Sequence, residues 1–380
     1  MQTRETPSDA LRWTELDGVR GLAALLVVYQ HLFLRWVPAS PKPVFWMRTL
    51  SGMSWTGVDL FFILSGFLIG GILLRNRESE NYFSVFYIRR AFRILPLYFA
   101  LLASFFVIRF CLPVGQHPSM AEGAIPLWSY PLLVQNFHMA FTGGWGPGPL
   151  GVTWSVALEE QFYLFLPLFI WLVPARWHLA SFWILALSAP VFRAATHLAS
   201  PTFLLPGSLE PLFIGVILAW FFINRPHIFK APAWRRVATI LFAAGSLGMA
   251  WMAVRGGFGS FEVTAITLFW GSFLWLVLTY LGTPFTAPLR WRPLCWVGGI
   301  SYGVYLLHPV ISELIFLHVF GAQPTESMGA RGFLLTCFSL AVILTVAYLS
   351  FHFVERRLTA IGHRLHYRKR EDQRAAVSNA

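Results

Sequence analysis

Long apolar stretches with almost no charge recur along this chain of 380 residues and limit what it can fold into. Hydrophobic residues make up 56% of the sequence and charged residues only 12%, whereas about a quarter of a typical soluble domain is charged. A stretch of about 20 apolar residues is long enough to cross the roughly 30 Å of hydrocarbon in a bilayer. The sequence therefore predicts an all-α, polytopic integral protein of the cell membrane.

The apolar stretches predict about ten transmembrane helices, near residues 19–37, 56–74, 94–110, 152–173, 179–199, 207–223, 237–254, 261–281, 294–320 and 332–354. Most of the 29 Lys and Arg residues then fall on the side of the membrane that holds both termini. By the positive-inside rule this side is the cytoplasm. We therefore expect a transmembrane domain at residues 1–355 and a basic cytoplasmic tail at 356–380.

The formal net charge of +12 does not require a nucleic-acid partner, because Lys and Arg in loops commonly set membrane topology. The three cysteines, Cys111, Cys295 and Cys337, have neither metal-ligand spacing nor the pattern of a disulfide framework. We therefore expect the three cysteines to be free thiols. We also expect membrane lipids to surround the protein, and we expect neither a metal nor a nucleic-acid partner.

Two ionisable residues share one face of the first predicted span. Arg20 and His31 are 11 residues apart, which is close to three helical turns and about 16.5 Å of axial rise. An ionisable residue in hydrocarbon costs free energy and usually faces a cavity or a partner. This spacing puts Arg20 at the cytoplasmic rim and His31 near the middle of the membrane. His31 is then either a reactive group or a histidine that packs between helices.

The second predicted span carries a carboxylate near its outer end and small residues farther along. Asp59 precedes the pair Ser65 and Gly66, which permits close helix approach. This pattern is consistent with a helix-packing motif that has a carboxylate at the membrane rim. It is equally consistent with a chemical role for Asp59.

Three arginines precede the apolar part of the third span. Arg90 and Arg93 project from one face if the segment is helical, and Arg89 precedes them. The planar guanidinium group suits phosphate oxygens. These arginines could bind phosphate groups, or they could serve only to orient the span in the membrane, and the sequence is consistent with both.

The fourth predicted span contains two adjacent carboxylates, which packing explains poorly. Ser155, Glu159 and Tyr163 recur every four residues and form one polar stripe on a helix. Glu160 points about 100° away from this stripe, so the two carboxylates need not share a role.

Polar residues also surround a proline in the ninth predicted span. Tyr302 and His308 come shortly before Pro309, which frees a backbone carbonyl and kinks a helix. His308 either lines a cavity here or satisfies freed backbone groups.

Taken together and in this order, these segments resemble the acyltransferase-3 family of membrane O-acyltransferases over most of the chain. The resemblance lies in the Arg20-x10-His31 spacing and in the segments that begin at Gly57, Arg90, Trp154, Ser301 and Phe353. Arg357 stands where the family often has proline. Some members carry a C-terminal extracytoplasmic hydrolase-like domain, but this chain ends soon after its last predicted span. The resemblance is therefore to a stand-alone membrane domain, and we expect another protein to supply any such partner activity.

The resemblance implies a ten-helix domain that moves an acyl group, by default acetyl, from cytoplasmic acyl-CoA to a hydroxyl of an extracytoplasmic or lipid-linked carbohydrate. We expect His31 to act as general base or as an acyl carrier, and Arg20, Asp59 and Glu159 to complete the catalytic group. Arg90 and Arg93, with Arg89 or Arg20, are expected to hold the CoA phosphates. The expected substrate-binding residues are Glu160, Tyr163, Tyr302 and His308.

A secondary transporter is the alternative, because intramembrane His and Glu residues also form proton relays. That class predicts an inverted internal repeat, and the sequence shows none by inspection.

Overall fold

The computed structural model describes residues 13–36, 51–113, 117–120, 125–255, 259–321 and 328–368, and these residues form helices and loops without a β-strand. The α-helices in this part of the chain are α1 (Thr14–Val28), α2 (Gly57–Asn76), α3 (Tyr82–Cys111), α4 (Gln135–Thr142), α5 (Thr153–Leu172), α6 (His178–Ala195), α7 (Leu205–Asn224), α8 (His227–Lys230), α9 (Pro232–Arg255), α10 (Glu262–Thr279), α11 (Arg292–Gly299), α12 (Ser301–Phe320), α13 (Gly329–Ser350) and α14 (Arg356–His363). The all-α prediction is confirmed.

Within these ranges, nine helices are long and apolar enough to cross a membrane: Gly52–Asn76, Tyr82–Cys111, Gly148–Leu172, Ala175–Ala195, Leu205–Asn224, Pro232–Arg255, Gly259–Thr279, Ser301–Phe320 and Gly329–His363. They correspond to the second to tenth predicted spans, so the polytopic architecture is confirmed. The first predicted span corresponds to α1, which continues through a π-helical turn at Tyr29–Phe33 and a 3₁₀ turn at Leu34–Trp36. This first helix is not among the nine.

The third and the ninth predicted spans differ most clearly from the observed helices. Helix α3 begins at Tyr82 rather than near residue 94, because a helix that has begun gains one hydrogen bond per added residue, whether or not that residue is apolar. The predicted ninth span, 294–320, is divided into α11 and α12, which meet at Ile300 after two glycines. The three arginines of the third segment therefore lie on a regular helix.

Helices α2 and α7 cross at close range. A Cβ atom at Gly66 would collide with the Leu212 carbonyl, and one at Gly215 would collide with the Ile63 carbonyl. Glycine at both positions lets the two backbones approach, as the Ser65–Gly66 pair predicts. Helices α1 and α11 approach in the same way, since a Cβ atom at Gly298 would meet the Asp17 carbonyl.

The C-terminal segment packs against the N-terminal half of α3. The last long helix continues without a break from Gly329 to His363, so the predicted boundary at residue 355 falls inside a helical run. The Asn81 amide donates to the His366 carbonyl at 2.8 Å, and the Arg368 backbone N–H donates to Asn81 Oδ1 at 3.0 Å. The rest of the predicted tail, 369–380, lies outside the described residues.

Candidate active site

His31 lies in the π-helical turn that follows α1, and its side chain is exposed. Its Nδ1 atom is 2.9 Å from the Val27 carbonyl. A carbonyl only accepts hydrogen bonds, so Nδ1 carries the proton and Nε2 is the unprotonated nitrogen of the neutral ring. Short π-helical turns occur frequently at functional sites. The local backbone therefore fixes His31 in the tautomer that a general base needs at Nε2.

His308 is fully buried on α12, and its ring centre lies 4.9 Å from that of His31. Pro309 has no N–H, so it leaves the Tyr305 carbonyl without its usual helical donor. His308 Nδ1 fills this place at 2.7 Å, with Val304 O farther away at 3.3 Å. Of the two predicted alternatives, His308 does satisfy the freed backbone carbonyl. In addition, it contacts the other candidate histidine.

A cavity of about 60 Å³ lies between α2, α5 and α12. This volume is large enough for a few water molecules or a small reacting group. The hydroxyls of Ser155 and Tyr305 lie 2.5 Å apart at its wall. The centre of the Tyr305 ring also lies 6.1 Å from the centre of the His308 ring. The cavity is lined by Val58, Phe61, Phe62, Ser155, Val156, Glu159, Tyr302 and Tyr305. Glu159 is thus the carboxylate that faces it.

The polar stripe predicted on the fourth span lies along one face of α5. Ser155 and Glu159 face the cavity, and the Tyr163 hydroxyl, one turn farther along, is 2.7 Å from Ser65 Oγ. Glu160 points elsewhere, and its Oε1 atom is buried without a hydrogen-bond partner among the residues that the structure describes. The two carboxylates therefore have separate surroundings, as their angular separation indicates.

Tyr302 lines the cavity, but its hydroxyl donates to the Ile94 carbonyl at 2.9 Å. This bond ties α12 to α3. Tyr302 therefore offers the cavity mainly its ring.

Arg20, Arg90 and Arg93 form a group of cations between α1 and α3, close enough for mutual electrostatic repulsion. Arg20 pairs with Asp17 at 2.7 Å, and both side chains are about a quarter exposed. The Arg90 guanidinium lies over the Tyr163 ring, 5.7 Å from its centre, and Arg93 is exposed. In the described ranges neither Arg90 nor Arg93 forms an ion pair. Their donors are therefore available for an anionic ligand.

Arg89, by contrast, is held by the C-terminal segment. Its Nε and Nη2 atoms both donate to the Leu365 carbonyl, and its guanidinium lies 5.4 Å from the centre of the Tyr367 ring. Burial raises the pKa of the Tyr367 phenol, which keeps this ring neutral beneath the cation. The structure thus gives Arg89 a packing role.

Asp59 is buried in the first turn of α2 and does not line the cavity, although its neighbour Val58 does. Its electrostatic neighbours are Arg193 and Glu210. Asp59 therefore lies near the Arg193 and Glu210 side chains rather than on the cavity wall that Glu159 faces.

Arg193 and Glu210 form a buried ion pair of 2.7 Å that the sequence did not predict. The remaining Arg193 donors reach the Gly207 carbonyl, the Ser260 carbonyl and the Thr264 hydroxyl. The signal for this network was Arg193 itself, an arginine inside a predicted span.

Among the described ranges, no three His, Cys, Asp or Glu side chains are grouped so that they could hold a metal ion. The polar site consists of histidines, carboxylates, hydroxyls and arginines.

Comparison with known proteins agrees with these features. The chain is similar to a peptidoglycan O-acetyltransferase of Listeria monocytogenes, with 26% identity over 91% of this chain and 56% of the relative. It is also similar to YrhL of Bacillus subtilis, a proposed peptidoglycan O-acetyltransferase, with 28% identity over 92% of this chain and 55% of the relative. The chain thus spans little more than half the length of these relatives. No solved structure matches it.

The acyltransferase domain profile of the acyltransferase-3 family matches residues 13–352, which include every candidate site residue. The match confirms both the resemblance and the prediction of an acyltransferase. The chain therefore belongs to the acyltransferase-3 family.

Proposed function

We propose that this protein is an O-acetyltransferase of the cytoplasmic membrane that moves an acetyl group from acetyl-CoA to a carbohydrate hydroxyl outside the cell. The observation that carries the proposal is the hydrogen bond from His31 Nδ1 to the Val27 carbonyl. It leaves Nε2 as the basic nitrogen of the neutral ring, and the unperturbed pKa of imidazole suits proton transfer near neutral pH.

In the proposed reaction, His31 Nε2 takes the proton of the acceptor hydroxyl as the oxygen bonds to the thioester carbonyl carbon. The C–S bond then breaks, and the CoA thiolate leaves and takes the proton from His31. An alternative route forms an acetyl-His31 intermediate before the hydroxyl attacks. Both routes use the same nitrogen and return the histidine to its neutral form.

The arginines support a donor site at the cytoplasmic side. Arg90 and Arg93 have no ion-pair partner in the described ranges, and guanidinium groups bind phosphate oxygens in a bidentate manner. Arg20 adds a third cation near them. The rise of about 16.5 Å from Arg20 to His31 suits a donor whose phosphates remain near the cytoplasm while its extended pantetheine arm enters the membrane.

Glu159 is proposed to hold the acceptor. It faces the cavity beside the Ser155 and Tyr305 hydroxyls, and a carboxylate is a strong acceptor for a sugar hydroxyl. Tyr163 is proposed to support substrate binding through its contact with Arg90, and Tyr302 through its place in the cavity wall. Glu160 is also proposed to support substrate binding. The names of the relatives favour peptidoglycan as the acceptor. Family membership speaks against the secondary transporter.

Purified protein in liposomes, with radiolabelled acetyl-CoA and soluble peptidoglycan fragments, tests this proposal. Alkali-labile label on the fragments is the expected product, because an O-acetyl ester hydrolyses in base. A parallel reaction with other bacterial polysaccharide fragments determines the acceptor class. If no fragment gains label above a reaction without protein, the proposed function is wrong.

A further inference from the structure

His308 has an unusual hydrogen-bond state. Its Nδ1 atom donates to the Tyr305 carbonyl that Pro309 leaves exposed. In the neutral ring, Nε2 is therefore an unprotonated acceptor. This atom is buried and has no hydrogen-bond partner within the described part of the chain. A buried polar atom without a partner costs free energy, so such an atom at a candidate active site calls for a functional explanation.

The His31 ring is the neighbour that can use this nitrogen. Because Nδ1 faces the backbone of α12, Nε2 lies on the side of the ring that points away from that backbone. The ring of His31, on the neighbouring helix run, is 4.9 Å away and inclined by 61°. Neither ring stacks flat on the other, so the edge of one ring meets the other ring.

We infer that His308 is a positioning residue whose unprotonated Nε2 stabilises the positive charge that forms on His31 during acetyl transfer. The negative end of a fixed dipole favours an adjacent cation, and it does so most strongly where water is absent. His308 keeps a single proton, on Nδ1, throughout. The proton of the acceptor hydroxyl moves to His31 and then to the CoA thiolate, as in the reaction proposed above, on which this inference rests.

Three substitutions separate this role from that of a backbone anchor. His308→Gln can place an acceptor oxygen near the position of Nε2. His308→Asn can keep a donor near the Tyr305 carbonyl but has no atom at Nε2. His308→Phe keeps a ring and removes both nitrogens. If His308 acts through Nε2, the His308→Gln variant retains more activity than the Asn or Phe variant. If His308 only holds the Tyr305 carbonyl, the His308→Asn variant retains the most activity.

The experiment measures kcat and the KM for acetyl-CoA in liposomes, with thermal unfolding to verify folding. We expect kcat to fall roughly 10- to 100-fold in the His308→Asn and His308→Phe variants, less than the roughly 10²- to 10⁴-fold contribution of a general base itself. We expect a smaller loss of kcat in the His308→Gln variant and an unchanged KM for acetyl-CoA in all three variants. Equal losses, no loss, or Asn above Gln would overturn the inference.

Nitrogen NMR on protein labelled with ¹⁵N-histidine provides a test that does not depend on turnover. The His308 signal, identified by its disappearance in His308→Gln, should show a protonated Nδ1 and an unprotonated Nε2. The opposite tautomer would overturn the inference even if the wild type is active. A wild type that transfers no acetyl group would instead refute the proposed function, and the inference with it.

Discussion

The guanidinium group of Arg90 lies 5.7 Å from the centre of the Tyr163 ring, and this contact joins the cation group on α3 to the polar stripe on α5. Tyr163 in turn contacts Ser65 on α2 through its hydroxyl. One step farther along the stripe, Glu159 faces the cavity. The proposed donor site and the proposed acceptor site are therefore connected by direct contacts on neighbouring helices.

The first prediction concerns this arginine. Arg90→Ala should raise the KM for acetyl-CoA by about 10- to 100-fold, because a hydrogen bond to a charged group contributes roughly 1.5–3 kcal/mol. Arg90→Lys should recover only part of the affinity, since lysine keeps the charge but loses the bidentate geometry. The measurement is the dependence of initial rate on acetyl-CoA concentration.

Arg89→Ala is the matched control, because the Arg89 donors are used by the Leu365 carbonyl. It removes the same charge one residue away and should leave the KM nearly unchanged. An equal increase in both alanine variants would mean that general positive charge, rather than the Arg90 side chain, attracts the donor.

The second prediction concerns the buried pair of Arg193 and Glu210. Glu210→Ala should destabilise the protein by about 3–5 kcal/mol, because it leaves a guanidinium group buried without its counter-ion. The double variant Arg193→Met with Glu210→Met removes both charges and should be more stable than Glu210→Ala. Thermal unfolding in detergent measures both effects, and the exposed Arg176→Ala is the control. A double variant less stable than Glu210→Ala would contradict this explanation.

The third prediction is the orientation, with both termini in the cytoplasm. Cysteine at Thr142, at the end of α4, should react in intact cells with a thiol reagent that cannot cross membranes. The neighbouring Gly143 is less suitable, because its φ of 70° favours glycine. Cysteine at His366 is the control and should react only after the cells are opened. Both variants require a background without the three natural cysteines, and the reverse labelling pattern would show that the orientation is inverted.

Sequence periodicity predicted most of the helices, because apolar length decides whether a segment crosses a membrane. It also predicted the stripe of Ser155, Glu159 and Tyr163, since residues four apart share a helix face. Positions that differ by one residue are less predictable: Arg89 and Arg90 point about 100° apart, and only packing decides which of them faces the C-terminal segment. Asp59 shows the same effect, because its neighbour Val58 reaches the cavity instead.

Which helices are neighbours is the information that one sequence lacks. His31 and His308 belong to the first and the ninth predicted spans, and no local pattern relates them. Their contact depends on how the surrounding helices pack, which involves glycine crossings such as those of α1 on α11. The sequence shows a proline next to His308, but it does not show which residue the His308 ring contacts.

The last prediction concerns His31 as the general base. His31→Gln should lower kcat by at least about 100-fold, because glutamine keeps hydrogen-bonding capacity but cannot take up the hydroxyl proton. The side chain is exposed and lies in a π-helical turn, so its replacement removes little packing and should leave folding and membrane insertion intact. His318→Gln is the matched control, since His318 is another exposed histidine and lies near the end of α12. The measurement is the initial rate of acetyl transfer at saturating acetyl-CoA, normalised to folded protein in the liposomes. Wild-type turnover in a well-folded His31→Gln variant would transfer the role of base to Glu159, the carboxylate that faces the cavity.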